Sequence, residues 1–436
     1  MISVDSLLKR TLRHQIAYAE VLEIVLHHLR PAARPNAFRK LSLARKDHLD
    51  WLSRTIICFS MLHQIYAQCG TRTKALPAQL QERVSGLWAA HIWPSMRMLI
   101  DTYILDDSQP FLSESVNQEC AFNSICGILD GCGPSMDALT ELSLDSFVEG
   151  NECMLRLLLH YMDRHPTREF VPPFHIADSF RAQQQIEKEP RFFPVFLSYL
   201  MLMRKQFREA KRHAKSSQLH EQLCRDFSRI LTTVRLCFHP LPPRYPSPIP
   251  KTLAFQYPEI IDELLKLWQF LFDNNSFSTV FGHHAFKHCT GLVYSLVEMG
   301  GCILMRRALK RHYLQLIAKT CSTVPHRELE MKTIHSAVDY LSRQMVHLSV
   351  LTPTLHAWEK VRTSRLLFSR GQHETTMSSL TVTLGIAWRD FSTNCVSREA
   401  VLKKYVDVYP AKPICNNSQV PKLFEPISSF QTDVIL

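Results

Sequence analysis

Apolar positions recur at helical spacing along nearly the whole chain. In residues 1–30, Leu7, Leu8, Leu12, Ile16, Tyr18, Val21, Leu22, Ile24, Val25 and Leu29 form one broad stripe. That spacing predicts an amphipathic helix, stopped by Pro31 and Pro35. A second helix is predicted from near Ser42 to about Gln68. Trp51, Ile56, Ile57, Phe59, Met61, Leu62 and Tyr66 lie on its buried side, and Gly70 is its C-terminal cap. The run from Leu87 to Ile100 carries two interleaved sets, Trp88, Ile92, Ser95 and Leu99, and Trp93, Met96 and Ile100. Pro94 inside it marks either a kink or a fresh first turn. Shorter helices follow between Val116 and His165, with a turn at Gly131-Cys132-Gly133-Pro134. Phe192 to Arg212 is a strong helix, apolar first and basic later, and Leu219 to Phe238 is another.

The pattern breaks between His239 and Pro250, where six of twelve residues are proline. Such a stretch is expected to be extended, close to polyproline II, as a stiff spacer. Helical periodicity resumes after it. Pro258 opens a helix at its first turn, with Ile260, Ile261, Leu264, Leu265, Trp268 and Leu271 buried. Helices are then predicted through Phe286 to Val297, Ile303 to Ile317, Leu329 to Leu348, from Pro353, and from Leu380 to Phe391. Ser397 starts a short terminal one. Residues 410–436 read as a disordered tail. The predicted fold is all-α, an armadillo- or HEAT-like array (α-solenoid), although no exact repeat is visible. The predicted organisation is a helical block over 1–240, a proline-rich linker over 241–257, a second helical block over 258–409, and the tail.

Composition supports this picture. Twelve glycines against 24 prolines leave few tight hairpin turns, and prolines punctuate helices well. The 13 cysteines form no Cys-x-x-Cys pair and sit among apolar residues. Free cysteine of that kind behaves as a small hydrophobe, and a reducing compartment, cytoplasmic or nuclear, is expected. Met1 to Arg30 has neither the apolar core of a secretory signal nor the acid-poor character of a presequence. His288 to Met305 approaches the length of a membrane span, but Glu298 and the Gly300-Gly301 break favour a buried helix pair. The net charge of +11 is a modest excess of 51 basic over 40 acidic residues. Its densest runs are Arg204 to Arg212 and Arg306 to Arg311. Both end apolar helical runs, where cations meet the negative end of the helix dipole.

Candidate chemistry is sparse. His284 and His288 lie four residues apart, on one helix face, and Cys289 follows them; together they are a weak candidate for zinc. The His-Glu-x-x-His arrangement is absent because Ala285 follows His284. There is no Gly-x-Ser-x-Gly elbow, no kinase set and no phosphate-binding glycine loop. No catalytic or cofactor-binding residue is predicted, and the chain reads as a non-enzyme.

Two stretches together resemble a known family. Leu87-Trp88, Ile92-Trp93-Pro94 and Leu99 lie in the first third, and Trp388, Pro413, Ile414, Cys415, Asn416 and Asn417 follow in order near the end. They resemble the fungal, mushroom-type proteins in which a long armadillo-like helical region precedes a MYND-type zinc finger. That resemblance implies a finger with seven cysteines and one histidine. Only Cys415 stands at a matching place, and no cysteine or histidine follows it. One thiolate cannot hold structural zinc, which takes four ligands. The expectation is therefore no bound cofactor. Either the gene has lost the finger or the reading frame is shifted or shortened, and zinc would enter only if a complete finger exists in a full-length gene product. The expected function is a non-enzymatic helical scaffold for protein–protein interaction, away from membranes. The alternative is a basic, nucleic-acid-associated helical protein using the two arginine-rich runs.

Overall fold

A computed structural model describes residues 15–29, 44–73, 82, 84, 86–105, 115–131, 155–163, 179–212, 217–238, 249–323, 328–363 and 379–408. Every regular element among them is helical and none is a strand, so the chain is all-α. It divides into two units, residues 1–177 and 178–436.

In the first unit, α1 (Gln15–His28) buries Leu22, Val25 and Leu26, and Leu29 just beyond it, and turns Glu23 and His27 outward. Ile24, expected in the stripe, is exposed instead, because it sits ~100° around the helix from buried Val25. α2 (Ala44–Thr73) packs on α1 and buries Trp51, Leu52, Phe59 and Leu62. Two expectations fail in α2. Ile57 faces solvent, because it sits ~100° around the helix from buried Ile56. Gly70 lies inside the helix, which runs on to Thr73, at a cost of about 1 kcal/mol relative to alanine. α3 (Trp93–Leu99) is flanked by two π-turns, Trp88–Ile92 and Ile100–Ile104. The first closes with Trp93 N–H donating to the Trp88 carbonyl. Pro94 has no N–H to give, and the widened turn carries the preceding carbonyls away from its ring. Trp88, Ile92, Trp93, Met96, Leu99 and Ile100 are all buried. Ser95 Oγ donates to the Leu29 carbonyl at 3.2 Å, beyond the end of α1. α4 (Ser115–Gly131) packs on α2, where Ser124 Oγ meets Ser60 Oγ at 2.9 Å. α4 ends at Gly131. The rest of the turn expected there lies outside the described residues.

The second unit starts with α5 (Ser179–Lys188), α6 (Phe192–Arg212) and α7 (Ser217–Cys237). The short α8 (Ile249–Phe255) and α9 (Glu259–Asp273) follow, then α10 (Val280–Lys310), α11 (Tyr313–Thr323), α12 (Glu328–Gln344), α13 (Leu348–Thr363) and α14 (Ser379–Val408). α10 is the pivot: it packs against α7, α8, α9, α11, α12 and α13. Aromatic rings fill the gaps. Phe207 of α6 meets Phe227 of α7 edge-on at 5.8 Å and Phe270 of α9 at 5.6 Å. Trp268 of α9 donates through Nε1 to Thr320 Oγ1 of α11 at 3.2 Å.

α10 breaks at Gly301, whose φ of 54° and ψ of −141° are non-helical. That combination belongs to residues without a Cβ. The break expected at Gly300-Gly301 is thus where the helix turns, and most of the flanking apolar residues are buried. α10 is the one described helix long and apolar enough to cross a membrane, and more than half of that apolar stretch is buried within the unit.

Two boundaries differ from expectation. The division at 241–257 falls inside the second unit. Ile249–Phe255 is a helix that packs on α10, with Pro250 in its first turn, where a missing N–H is harmless. α6 and α7, before the proline run, pack on α9 and α10, after it, so that run connects parts of one unit. Residues 239–248 lie outside the described residues. Likewise α14 is continuous where a break before Ser397 was expected. Ser392 and Thr393 return their hydroxyls to the carbonyls of Trp388 and Arg389, at 2.6 and 3.0 Å. These polar residues therefore sit within the helix instead of ending it. The tail 410–436, with Cys415, Asn416 and Asn417, lies outside the described residues.

Candidate functional site

Both basic runs converge on one short acidic pair. Asp262 and Glu263 lie in the first turns of α9 and are almost wholly buried. α9 itself offers them only Lys266, so their other partners come from neighbouring helices. Arg307 of α10 supplies a flat two-pronged contact to Asp262, Nε to Oδ1 at 2.9 Å and Nη2 to Oδ2 at 2.7 Å. These bonds hold the Arg307 guanidinium even more firmly charged than usual, against a smaller opposing effect of burial. Arg311 adds a second contact to Asp262 at 3.1 Å, and Glu259 lies 3.7 Å from Arg307. On the other side, Arg204 of α6 places Nε 2.8 Å from Glu263 Oε2. That contact is an ion pair off the hydrogen-bonding angle, since neither atom has a well-aligned partner. Lys266 reaches Glu263 Oε1 at 2.7 Å. The inner members of both runs therefore clamp α6 and α10 to α9. Lys205, Arg208, Arg212, Arg306 and Lys310 remain exposed.

The His284/His288 pair is on one face of α10, as its spacing requires. The rings lie nearly parallel with centroids 6.3 Å apart. His284 is exposed and His288 is half-buried. Burial first, then the charges of Arg235, Lys287 and His284, press His288 down to about 4. Cys289 does not join them. It is fully buried on the other side, where its thiol donates to the Leu264 carbonyl at 3.5 Å, and burial pushes it far up. Among the described residues no group of three or more His, Cys, Asp or Glu side chains is placed to hold a metal ion.

Arg235 of α7 sits against the same stretch of α10. Its guanidinium lies over Gly291, so that a Cβ there would stand 2.7 Å from Cζ and 2.8 Å from Nη1. Burial lowers the Arg235 pKa and no neighbouring charge offsets it. Further along the seam, Arg225 of α7 stacks over the Phe281 ring at 4.1 Å. Sequence reasoning missed Arg235. The one local sign of it, Gly291 within a helix, has meaning only once α7 is known to cross there.

Other reactive side chains are sheltered. Burial raises the thiol of Cys58 to about 11, and those of Cys224 and Cys395 to about 12. Such thiols stay protonated and are poor nucleophiles at neutral pH. His220 of α7 meets Ser276 Oγ at 3.0 Å through Nε2, and Cys224 Sγ lies 3.6 Å from the same nitrogen. Both contacts fall on one ring nitrogen, and no described carboxylate orients the other, as a hydrolytic triad requires. The pair closes the turn after α9, where Asn275 takes a φ of 53° and Gly282 passes so near the Ser276 carbonyl that a Cβ would collide with it. Trp388 and Phe391 of α14 pack with Trp358 of α13, at 6.1 and 5.8 Å. This aromatic cluster joins two helices inside the unit. Comparison with known proteins finds no matching family model, no similar curated protein and no matching solved structure.

Proposed function

We propose that the chain is a non-enzymatic helical scaffold that binds a protein partner. The observation that supports it best is the clamp on α9. The buried acids and the arginines facing them hold three helices together, and so form a stiff frame. Helical frames offer broad surfaces for extended segments of other proteins. An armadillo or HEAT array is the finer form of this reading. The succession of packed neighbours α6 with α7 and α13 with α14 favours it, while the many partners of α10 weigh against it. The resemblance to MYND-finger proteins adds that this chain, with Cys415 as the lone candidate ligand, carries no complete zinc site of that type. In that case zinc stays well below one ion per chain in the purified protein.

Cross-linking in cell extract, followed by calorimetry with the purified candidate, tests the scaffold reading. A saturable one-to-one complex is the expected result. Turnover of any substrate by the purified chain, abolished by a single side-chain change, would overturn it. A second reading, association with nucleic acid, keeps the exposed Lys205, Arg208, Arg212, Arg306 and Lys310. It requires affinity for mixed DNA or RNA that falls steeply with salt. The engagement of Arg204, Arg307 and Arg311 on α9 leaves fewer cations for phosphates.

A further inference from the structure

The seam between α7 and α10 collects cations without an acid to meet them. Arg235 is half-buried, and among the described residues it has neither an ion pair nor a side-chain hydrogen bond. Its flat face rests on the backbone at Gly291, which leaves the donors along its edge without acceptors. One turn earlier on α10, His288 Nδ1 is buried and likewise has no partner among the described residues. The charges that act on His288 come from Arg235, Lys287 and His284, and all are positive. In the clamp on α9, by contrast, Arg204, Arg307 and Arg311 each face a carboxylate. A guanidinium partly withdrawn from water and left without an anion is costly to maintain in a fold. It is, however, a prepared place for an anion brought from outside.

We propose that Arg235 and His288, flanked by His284 and Lys287, form a binding site for a single phosphoryl group on the seam between α7 and α10. The donor set fits that group better than a lone carboxylate. A guanidinium edge, an ammonium and imidazole N–H groups offer donors in several directions, and a phosphoryl group presents three acceptor oxygens and about −1.5 to −2 charges. Gly291 sets the height of the guanidinium above the helix, so any side chain at that position displaces it. His288 is held neutral and contributes a neutral donor; the charge that neutralises the ligand comes from Arg235 and Lys287. The site is independent of whether the scaffold reading holds, since it needs no protein partner to be detected.

The test is binding of inorganic phosphate to the full chain, against acetate at matched ionic strength, by calorimetry and by the shift of the thermal midpoint. Saturable phosphate binding with no saturable acetate binding is expected. Arg235→Gln and Gly291→Ala should each weaken it by about tenfold or more, since each removes or displaces a charge-assisted contact. His284→Asn, at an exposed position, tests the site without threatening the fold and should weaken it by a few-fold. Lys360→Gln, exposed on α13, should leave it unchanged. Equal phosphate binding by the wild type and by both Arg235→Gln and His284→Asn would overturn the proposal, as would equal responses to phosphate and acetate. O-phosphoserine and a short phosphorylated nucleotide, run as further arms, show whether the phosphoryl group arrives on a peptide or on a nucleotide. If neither binds while phosphate does, the free ion is the ligand.

Discussion

Two arginines of the second unit reach neighbouring helices in opposite ways. Arg307 leaves α10 for α9 and ends on Asp262, both prongs filled. Arg235 leaves α7 for α10 and ends on a glycine. Arg307 stands in a dense basic run and Arg235 alone among Thr233, Val234, Leu236 and Cys237, yet neither setting says what its guanidinium will meet. The difference lies in the surface each one meets. Where the fold supplies a buried carboxylate, the cation is part of the framework. Where it supplies only backbone, the cation is held ready for something else.

The sharpest way to break this comparison is to remove the shared acid. Asp262→Ala leaves Arg311 without its partner and Arg307 with Glu259 alone, and should cost about 2 kcal/mol in urea denaturation, below the loss for a fully buried pair because both arginines reach solvent. A loss below about 1 kcal/mol would make the clamp a surface feature. Acid is the next test. The folded protein holds His288 near 4, below its ordinary 6.5. The unfolded chain therefore binds the proton first as pH falls. Stability at pH 7 should decline between about pH 6.5 and 4, by up to about 3 kcal/mol from this residue. His288→Gln should flatten that part of the pH–stability curve; an unchanged slope would place the acid sensitivity elsewhere.

A smaller effect is expected at the break in α10. Gly301→Ala meets no neighbouring atom, so any loss comes from its backbone angles alone. About 2 kcal/mol is expected, typical of a residue forced into a sparsely populated region. A neutral result would mean that the helix straightens without penalty. Smallest of all is Arg235→Gln in phosphate-free buffer. Its charge has no partner to lose, so stability should stay within about 0.5 kcal/mol of wild type or rise slightly. If it falls as far as Arg307→Gln, Arg235 is a framework residue too, and the contrast disappears.

Features fixed by neighbouring residues are legible in the chain. The limits of α6, the first turn of α9 after Pro258 and the break at Gly300-Gly301 each depend on residues within one or two turns of each other. The failures are of a different kind. Asp262 and Arg307 are 45 residues apart, and no spacing rule connects an acid on one helix to a base on another. The proline run looked like a domain boundary because it cannot be helical, yet whether a non-helical stretch divides a fold depends on what packs across it. In α14 the polar Ser392-Thr393-Asn394 looked like an end, since it interrupts the apolar stripe. Hydroxyls that bond back to the preceding turn, as at Ser392 and Thr393, are compatible with helix. The candidate site was half visible: His284 and His288 share a face by spacing alone, but Arg235 joins them only through the crossing of α7 and α10.

The π-turn ahead of Pro94 has a consequence for how this protein can change over time. A π-turn is an α-helix carrying one residue too many, and a single deletion would ordinarily return it to regular winding. Here the proline forbids that route, because regular winding brings its ring onto a carbonyl of the preceding turn. Loss of Ala89 or Ala90 therefore becomes tolerable only in a lineage that has already exchanged Pro94. The insertion and the proline protect one another, and descendants would be expected to keep both or neither.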